Sequence, residues 1–341
     1  MTRKSFVRAA VAAAGLASLA IAAPAAADNT VIRVGYSTLL NTGFHLYMAE
    51  VEPSLYAAHG IELVPVDMRA NAANCIAAML AGEVDLCSVS TPSGIFASIE
   101  GADLRATAVL QGPLAQIYLT DTAAAATGVS PDAPVAERIA AMRGISLVTA
   151  APGTLYYNLV AQMMRSVDLS MDDLRYSTLV DGTAMREGLV NEAFDSVLWS
   201  AGAFADLEAS GDIVGWISVP NGDIPEMAAL PTVTVFAPQT WVDANPGLAD
   251  NLHAAFVDVI AALRADPVRY SAEIKARNFP DMPQLVWDAA FAAGLSGLWN
   301  SAQVSEAGWN AIVDMQRANN PNANFETASF ETMVLPAARA N

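Results

Sequence analysis

The chain has 341 residues, 54% of them hydrophobic and 15% charged, with a formal net charge of -18. Apolar content at that level excludes a disordered chain, and the length excludes a small disulfide-stapled domain while admitting two packed domains. Seventeen basic residues against 35 acidic, with no basic run, exclude a phosphate-backbone surface, so no nucleic-acid partner is expected.

Arg3, Lys4 and Arg8 flank the start of an apolar segment, Ala9 to Ala23, which Pro24 breaks before Ala25-Ala26-Ala27. This is the three-part layout of an export signal. The apolar run is 15 residues long, short of the roughly 20 that span a bilayer, so cleavage near Ala27 and a periplasmic location are expected. The stretch Arg3-Lys4-Ser5-Phe6 resembles a twin-arginine signal with Lys in the second position, which favours the general secretion route. Without residues 1–27 the chain has 314 residues, 14 basic and 35 acidic, a net of -21, and one lysine, Lys275.

The mature chain opens on a strand, Val31 to Tyr36, and a polar loop, Ser37 to Gly43. A helix is predicted from Phe44 to His59 with Gly60 as its stop. Ile61 to Met68 is a strand whose Pro65 suits a sheet edge. A helix over Ala72 to Ala81 stops at Gly82, and Val84 to Ser90 is a buried strand. Thr91-Pro92 starts a third helix, and Leu104 to Leu110 is a fourth strand. Residues Thr120 to Pro134, rich in Ala, Thr, Gly and Pro, read as a linker. A second alternating unit follows: helix Val135 to Met142, strand Ile145 to Thr149, helix Leu155 to Val167, strand Leu174 to Leu179, a helix opened by Asp181-Gly182-Thr183, strand Ser196 to Trp199, a small helix, and strand Ile213 to Val219. Pro231 to Phe236 looks like a strand returning to a shared edge. Thereafter the pattern is helical: Asn245-Pro246 caps a helix reaching Ala265, and others cover Pro283 to Trp299 and Ser305 to Ala318. The fold class is therefore α/β, with two mostly parallel sheets covered on both faces. Two such units joined by two crossings leave a cleft, where ligands gather at strand ends.

Several chemistries lack their residues. His45, His59 and His253 have no ligand spacing, and capping or surface roles are expected for His45 and His59. Cys75 and Cys87 lack the other pair that structural zinc needs, and are read either as a disulfide, which an exported setting permits, or as two buried thiols. No Gly-x-Gly-x-x-Gly, Walker loop or Gly-x-Ser-x-Gly is present. No metal, cofactor or catalytic residue is predicted.

What recurs is a small polar or glycine residue at each strand-to-helix junction: Ser37-Thr38 with Asn41-Thr42-Gly43, Asn71 and Asn74, Ser90-Thr91, Pro152-Gly153-Thr154, and Asp181-Gly182-Thr183. Helix N-termini carry unpaired N–H groups that hold an acceptor without Lys or Arg, although capping alone also explains each loop. Aromatics stand beside these loops: Phe44, Tyr47, Tyr156, Tyr157 and Trp199. Arg69 leaves a strand just before the Asn71 loop, where a surface salt bridge is its default.

These residues make the chain resemble the periplasmic substrate-binding proteins of bacterial ABC importers, in particular the nitrate/sulfonate/taurine and pyrimidine-precursor group. The likeness covers residues 30–275. It rests on Ala49-Glu50 through Leu55-Tyr56 to Gly60-Ile61-Glu62-Leu63, on Ala78-Met79-Leu80-Ala81-Gly82-Glu83-Val84-Asp85, on Arg143-Gly144-Ile145 through Pro152-Gly153-Thr154-Leu155-Tyr156-Tyr157, and on Asn245-Pro246 before a long helix. Departures are Ile145 where the group carries Lys, Thr154 where it carries Ser, and Arg69-Ala70-Asn71 without its Gly-rich piece.

The resemblance implies a two-lobed clamshell of the type II periplasmic-binding class, with residues 28–112 in lobe one, 113–231 in lobe two, and 232–341 returning to lobe one with a helical end. It implies a monomer that is not an enzyme, binding a small-molecule solute for a membrane permease of an ABC importer. Alternatives are a solute receptor of a tripartite (TRAP-type) transporter and a small-molecule lyase or dehydratase on the same fold. By the group's pattern the solute contacts are Thr38, Phe44, Asn71, Ser90 and Thr91 from lobe one, and Gly153, Thr154, Tyr157, Thr183 and Trp199 from lobe two. Hinges fall near Gln111 to Gln116 and Thr232 to Val235. The aromatic neighbours point to an aromatic or organic acid, a sulfonate or a heterocycle.

Overall fold

A computed structural model of the protein describes residues 29–36, 40–69 and 71–340. The export segment and the Ser37-Thr38 loop, including the candidate contact Thr38, lie outside the described residues.

The first unit runs β1 (Thr30–Tyr36), α1 (Phe44–Val51), α2 (Ser54–Ala57), β2 (Ile61–Asp67), α3 (Ala72–Leu80), β3 (Leu86–Ser90), α4 (Thr91–Ile99) and β4 (Leu104–Gln111). The second runs β5 (Ala115–Thr120), α5 (Asp121–Thr127), α6 (Val135–Ala140), β6 (Ser146–Thr149), α7 (Leu155–Arg165), β7 (Arg175–Thr178), α8 (Gly182–Val190), β8 (Ser196–Ser200), α9 (Ala205–Ser210) and β9 (Ile213–Ser218). The chain then returns through β10 (Val233–Pro238) and ends in α10 (Gln239–Ala244), α11 (Leu248–Ala265), α12 (Pro267–Asn278), α13 (Gln284–Gly297), α14 (Glu306–Asn319) and α15 (Phe330–Met333).

Two five-stranded sheets result, ordered β2-β1-β3-β10-β4 and β7-β6-β8-β5-β9. The plan is the same twice. Three strands run parallel, and the fourth, antiparallel to both neighbours, is the strand that has just crossed from the other unit. Crossovers of the parallel strands place α3 and α4 at one set of strand ends and α7 and α8 at the other. Pro65 pairs with Val34 on the edge strand β2, where its missing N–H costs no ladder bond.

Five expectations need correction or addition. The helix predicted over Phe44 to His59 breaks at Glu52-Pro53, where Glu52 has φ -138 and Pro53 has no N–H to continue the ladder. The Thr120 to Pro134 linker begins instead with a helix, α5: Thr120 Oγ1 accepts from Ala123 N at 3.2 Å, and its alanines are strong helix formers. The strand β5 before it, buried along its whole length, is an addition to the predicted set. Asn245 does not cap α11; its amide donates to Trp241 O at the end of α10, and Gly247 precedes α11. An unpredicted helix, α12, starts at Pro267 behind Asp266, whose Oδ1 accepts from Arg269 N.

The cysteines are joined, Cys75 of α3 to Cys87 of β3, both fully buried. The C-terminal helices reach both units. α13 packs against residues 40–42 and against α9, and α14 packs against α4 and α7.

Candidate functional site

The loops at the parallel strand ends converge where the two units meet. Asn71 caps α3, its Oδ1 accepting from Asn74 N at 3.0 Å, and Asp181 caps α8 through Ala184 N at 2.8 Å. The other two helices start differently. Ser90 Oγ shares a 2.7 Å hydrogen bond with Ser93 Oγ, Thr154 Oγ1 donates to Ala151 O at 2.7 Å, and neither caps its helix. The opening turn of α7 therefore presents N–H groups without side-chain acceptors, which together with the helix dipole attract an acceptor or anion. In α4, Thr91 N already donates to Thr232 O at 3.1 Å and Pro92 has no N–H, so only the later N–H groups of that turn are left.

The structure sorts the predicted contacts. Ser90, Gly153 and Thr154 are half-buried on this border, and a β-carbon on Gly153 would lie 3.9 Å from the Phe96 ring across the gap between units. Trp199, at the end of β8, is half-buried with its ring edge-on to Tyr156, centroids 5.6 Å apart, and its Nε1 would lie 3.7 Å from a β-carbon on Gly182. Asn71 and Thr183 are exposed in or beside the first turns of α3 and α8. Tyr157 turns toward the outer strand β7, edge-on to Tyr176 at 5.3 Å.

Phe44 and Thr91 are corrected to core positions. Phe44 is buried against Phe291, centroids 4.9 Å apart, because α1 must cover sheet one with its apolar face. Thr91 is fully buried, its Oγ1 2.8 Å from Thr234 Oγ1 on β10. The capping and surface roles also fail for His45, which is buried with Nε2 2.9 Å from Ser88 Oγ. His59 Nε2 instead meets Asp258 Oδ2 at 2.7 Å. No group of three metal-ligating side chains occurs among the described residues.

One corner was not anticipated from sequence. Asn41, 1% exposed, reaches from the loop after β1 into the other unit. Its Nδ2 donates to Ala201 O at 3.1 Å and its Oδ1 accepts from Ser200 Oγ at 2.7 Å. Burial raises the pKa of Tyr156, and the nearby Ser200 side chain opposes the rise. The tie thus runs from Asn41 to the Tyr156–Trp199 corner. Gln111 at the end of β4 braces it by donating to Asn41 O at 2.9 Å and Gly294 O at 3.1 Å. Gly202 follows, where a β-carbon would come within 2.6 Å of the α13 backbone at Ala289, so only glycine permits that approach. Asn41 stood among the polar loop residues, but contacts spanning about 160 positions leave no local signal.

Arg69 does not form the expected salt bridge. It is exposed, has φ +54, donates its backbone N–H to Asp67 Oδ1, and is the one arginine among the described residues without a side-chain hydrogen bond or ion pair. A left-handed non-glycine residue is strained backbone of the kind that gathers at functional loops. Beside the cleft, a groove of about 940 Å3 runs between α3, α4, residues 152–154 and Asn320. Its walls include Ser93, Phe96 and Thr154, with Glu100 and Asp103 farther along and no cation.

A scan against protein-family models finds no match, and a search of curated protein sequences finds none. Solved structures do match. The alkanesulfonate-binding protein SsuA from Xanthomonas axonopodis pv. citri bound to MOPS aligns with TM-score 0.69 and 16% identity over 92% of this chain and 100% of that one. The periplasmic aliphatic sulphonate binding protein SsuA from Escherichia coli aligns with TM-score 0.68 and 16% identity over 86% and 87%. The periplasmic nitrate-binding protein NrtA from Synechocystis PCC 6803 gives 0.58 and 17% over 78% and 69%. The chain has the periplasmic-binding-protein fold, in the form shared by the SsuA and NrtA structures.

Proposed function

We propose that this protein is an extracytoplasmic solute-binding protein that delivers a small organic solute to an ABC-type membrane permease. The observation that supports this reading above others is the duplicated sheet plan, whose parallel strand ends and uncapped helix starts meet across one cleft. The neighbours of like fold are binding proteins for sulfonates and nitrate by name, and no described helix is long and apolar enough to cross a membrane. Residues 28–112 and 232–341 act as lobe one and residues 113–231 as lobe two, with the crossings near Gln111 and Thr232 as hinges.

The solute carries an acceptor group and a flat or apolar part. The N–H groups that open α7, with Ser90, Gly153 and Thr154, receive the acceptor; Trp199 and Tyr156 wall the flat part. Arg69 and Asn71 stand at the rim, where Arg69 draws in negative charge that the acidic surface otherwise repels. Binding favours the closed arrangement only by contacting both lobes at once.

The test is a thermal-shift screen of organic acids, sulfonates, amines and heterocycles on protein unfolded and refolded to strip bound solute. A member of the first two classes, or a heterocycle, is expected to stabilise it, and Trp199→Ala to reduce the shift. No stabilisation by any compound, or turnover of the one that binds, would sink the reading.

A further inference from the structure

We infer that lobe closure is governed by a polar latch buried between α7 and α14, formed by Asn158 and Gln316. The inference rests on the reading that the two lobes hinge. α7 belongs to lobe two. α14 belongs to the returning segment, packing on α4 with its Trp309 Nε1 donating to Ala328 O. Asn158 and Gln316 are both 0% exposed, and Asn158 Nδ2 donates to Gln316 Oε1 at 2.7 Å.

The pair is incompletely satisfied. Asn158 Oδ1 and Gln316 Nε2 have no partner, and neither has Gln162 Oε1 one turn along α7. Turning both amides over exchanges which atoms bond and still leaves one donor and one acceptor alone. Buried orphans of this kind penalise the closed state, and water satisfies them once the surfaces part. An interface meant to stay shut is better served by apolar side chains of the same shape. One that must open and reclose needs a contact that fixes register without holding too hard, which a single amide–amide bond supplies.

Position ties the latch to the cleft. Thr154 and Asn320 line the interlobe groove, and Asn158 and Gln316 lie one helical turn beneath them on the same two helices. A solute drawing the first turn of α7 toward lobe one moves Asn158 onto Gln316. At the exposed edge of the same seam, Arg165 Nη1 donates to Asn319 Oδ1 at 2.7 Å.

The experiment measures interlobe distances by double electron–electron resonance between labels at Leu80→Cys and Val190→Cys, both exposed positions, without added solute. The native cysteines are already joined. Wild type is expected to show two distances. Asn158→Leu with Gln316→Met removes the orphans and raises the closed-to-open ratio by about tenfold or more, while Gln316→Met alone leaves both Asn158 amide atoms unpaired and lowers it by about tenfold. The opposite signs separate a latch from ordinary packing. A single wild-type distance, or a ratio unchanged in both variants, overturns the proposal. Opposite shifts in a protein that no screened compound stabilises uphold the latch and sink the solute reading. Stabilisation by a compound with no response of the ratio overturns the latch alone.

Discussion

Acidification should weaken this protein through one buried side chain well before its carboxylates protonate. His45 lies in α1 beneath the cleft loop, 1% exposed, with Nε2 on Ser88 Oγ, Nδ1 without a partner, and the ring edge-on to Phe256. Burial lowers its pKa from 6.5 to about 3. The unfolded chain takes up the proton near pH 6.5, whereas the folded chain resists it until about pH 3. A depressed folded value means that the contribution is full above pH 6.5 and is lost progressively as pH falls toward 3. Each pH unit in that window removes about 1.4 kcal/mol, so the fall from pH 6.5 to 5 removes about 2 kcal/mol, a large part of an ordinary domain's stability. Urea unfolding at pH 7 and pH 5 measures it. His45→Gln keeps a hydrogen-bonding group near Ser88 but does not titrate. It is expected to be less stable at pH 7 and to lose about 2 kcal/mol less than wild type on going to pH 5. Equal losses in the two proteins, or an imidazole resonance that titrates near 6.5 in the folded state, would refute the reasoning.

Reducing the Cys75–Cys87 bond, or replacing both by Ser, should cost about 2–4 kcal/mol, read as a lower Tm; an unchanged Tm with both thiols titratable would contradict this. Burial raises the pKa of Glu208 against the opposing hydrogen bond from Gln116. Its contribution is full below the unfolded carboxylate value and lost as pH rises through the raised one, so Glu208→Gln should raise Tm at pH 7 and have less effect near pH 4; a lower Tm at pH 7 would sink the argument. Asn41→Ala removes both interlobe hydrogen bonds at its corner and should cost about 2–4 kcal/mol, with faster hydrogen exchange in the 200–204 loop; unchanged exchange there would show that the tie is not needed.

The alternation of strands and helices was legible because apolar runs and stops are local. Gly60 and Gly82 end their elements in left-handed backbone, and Pro65 marks an edge. What escaped was decided elsewhere in the chain. Residues 120–134 were read by composition as a linker, although Thr120 and the alanines after it suffice for a helix. Phe44 and Thr91 stand at the right positions in sequence for the cleft, yet a position beside a loop does not say which way the side chain turns. α13 and β10 claim those two side chains from about 250 and 140 residues away. Trp199 and Thr154 stayed at the border, each only half-buried. Asn41, Ser200 and the Asn158–Gln316 pair join parts of the chain with no common local pattern.

The central claim, a solute held between two lobes, is tested most directly by calorimetric titration of the refolded protein with the compound that gives the largest thermal shift. The account predicts one saturable site per chain, weakened about fivefold or more by Trp199→Ala, the loss of a stacked aromatic wall being worth on the order of 1 kcal/mol. No saturable heat from any compound tested, or binding that Trp199→Ala and Thr154→Ala both leave untouched, would contradict it.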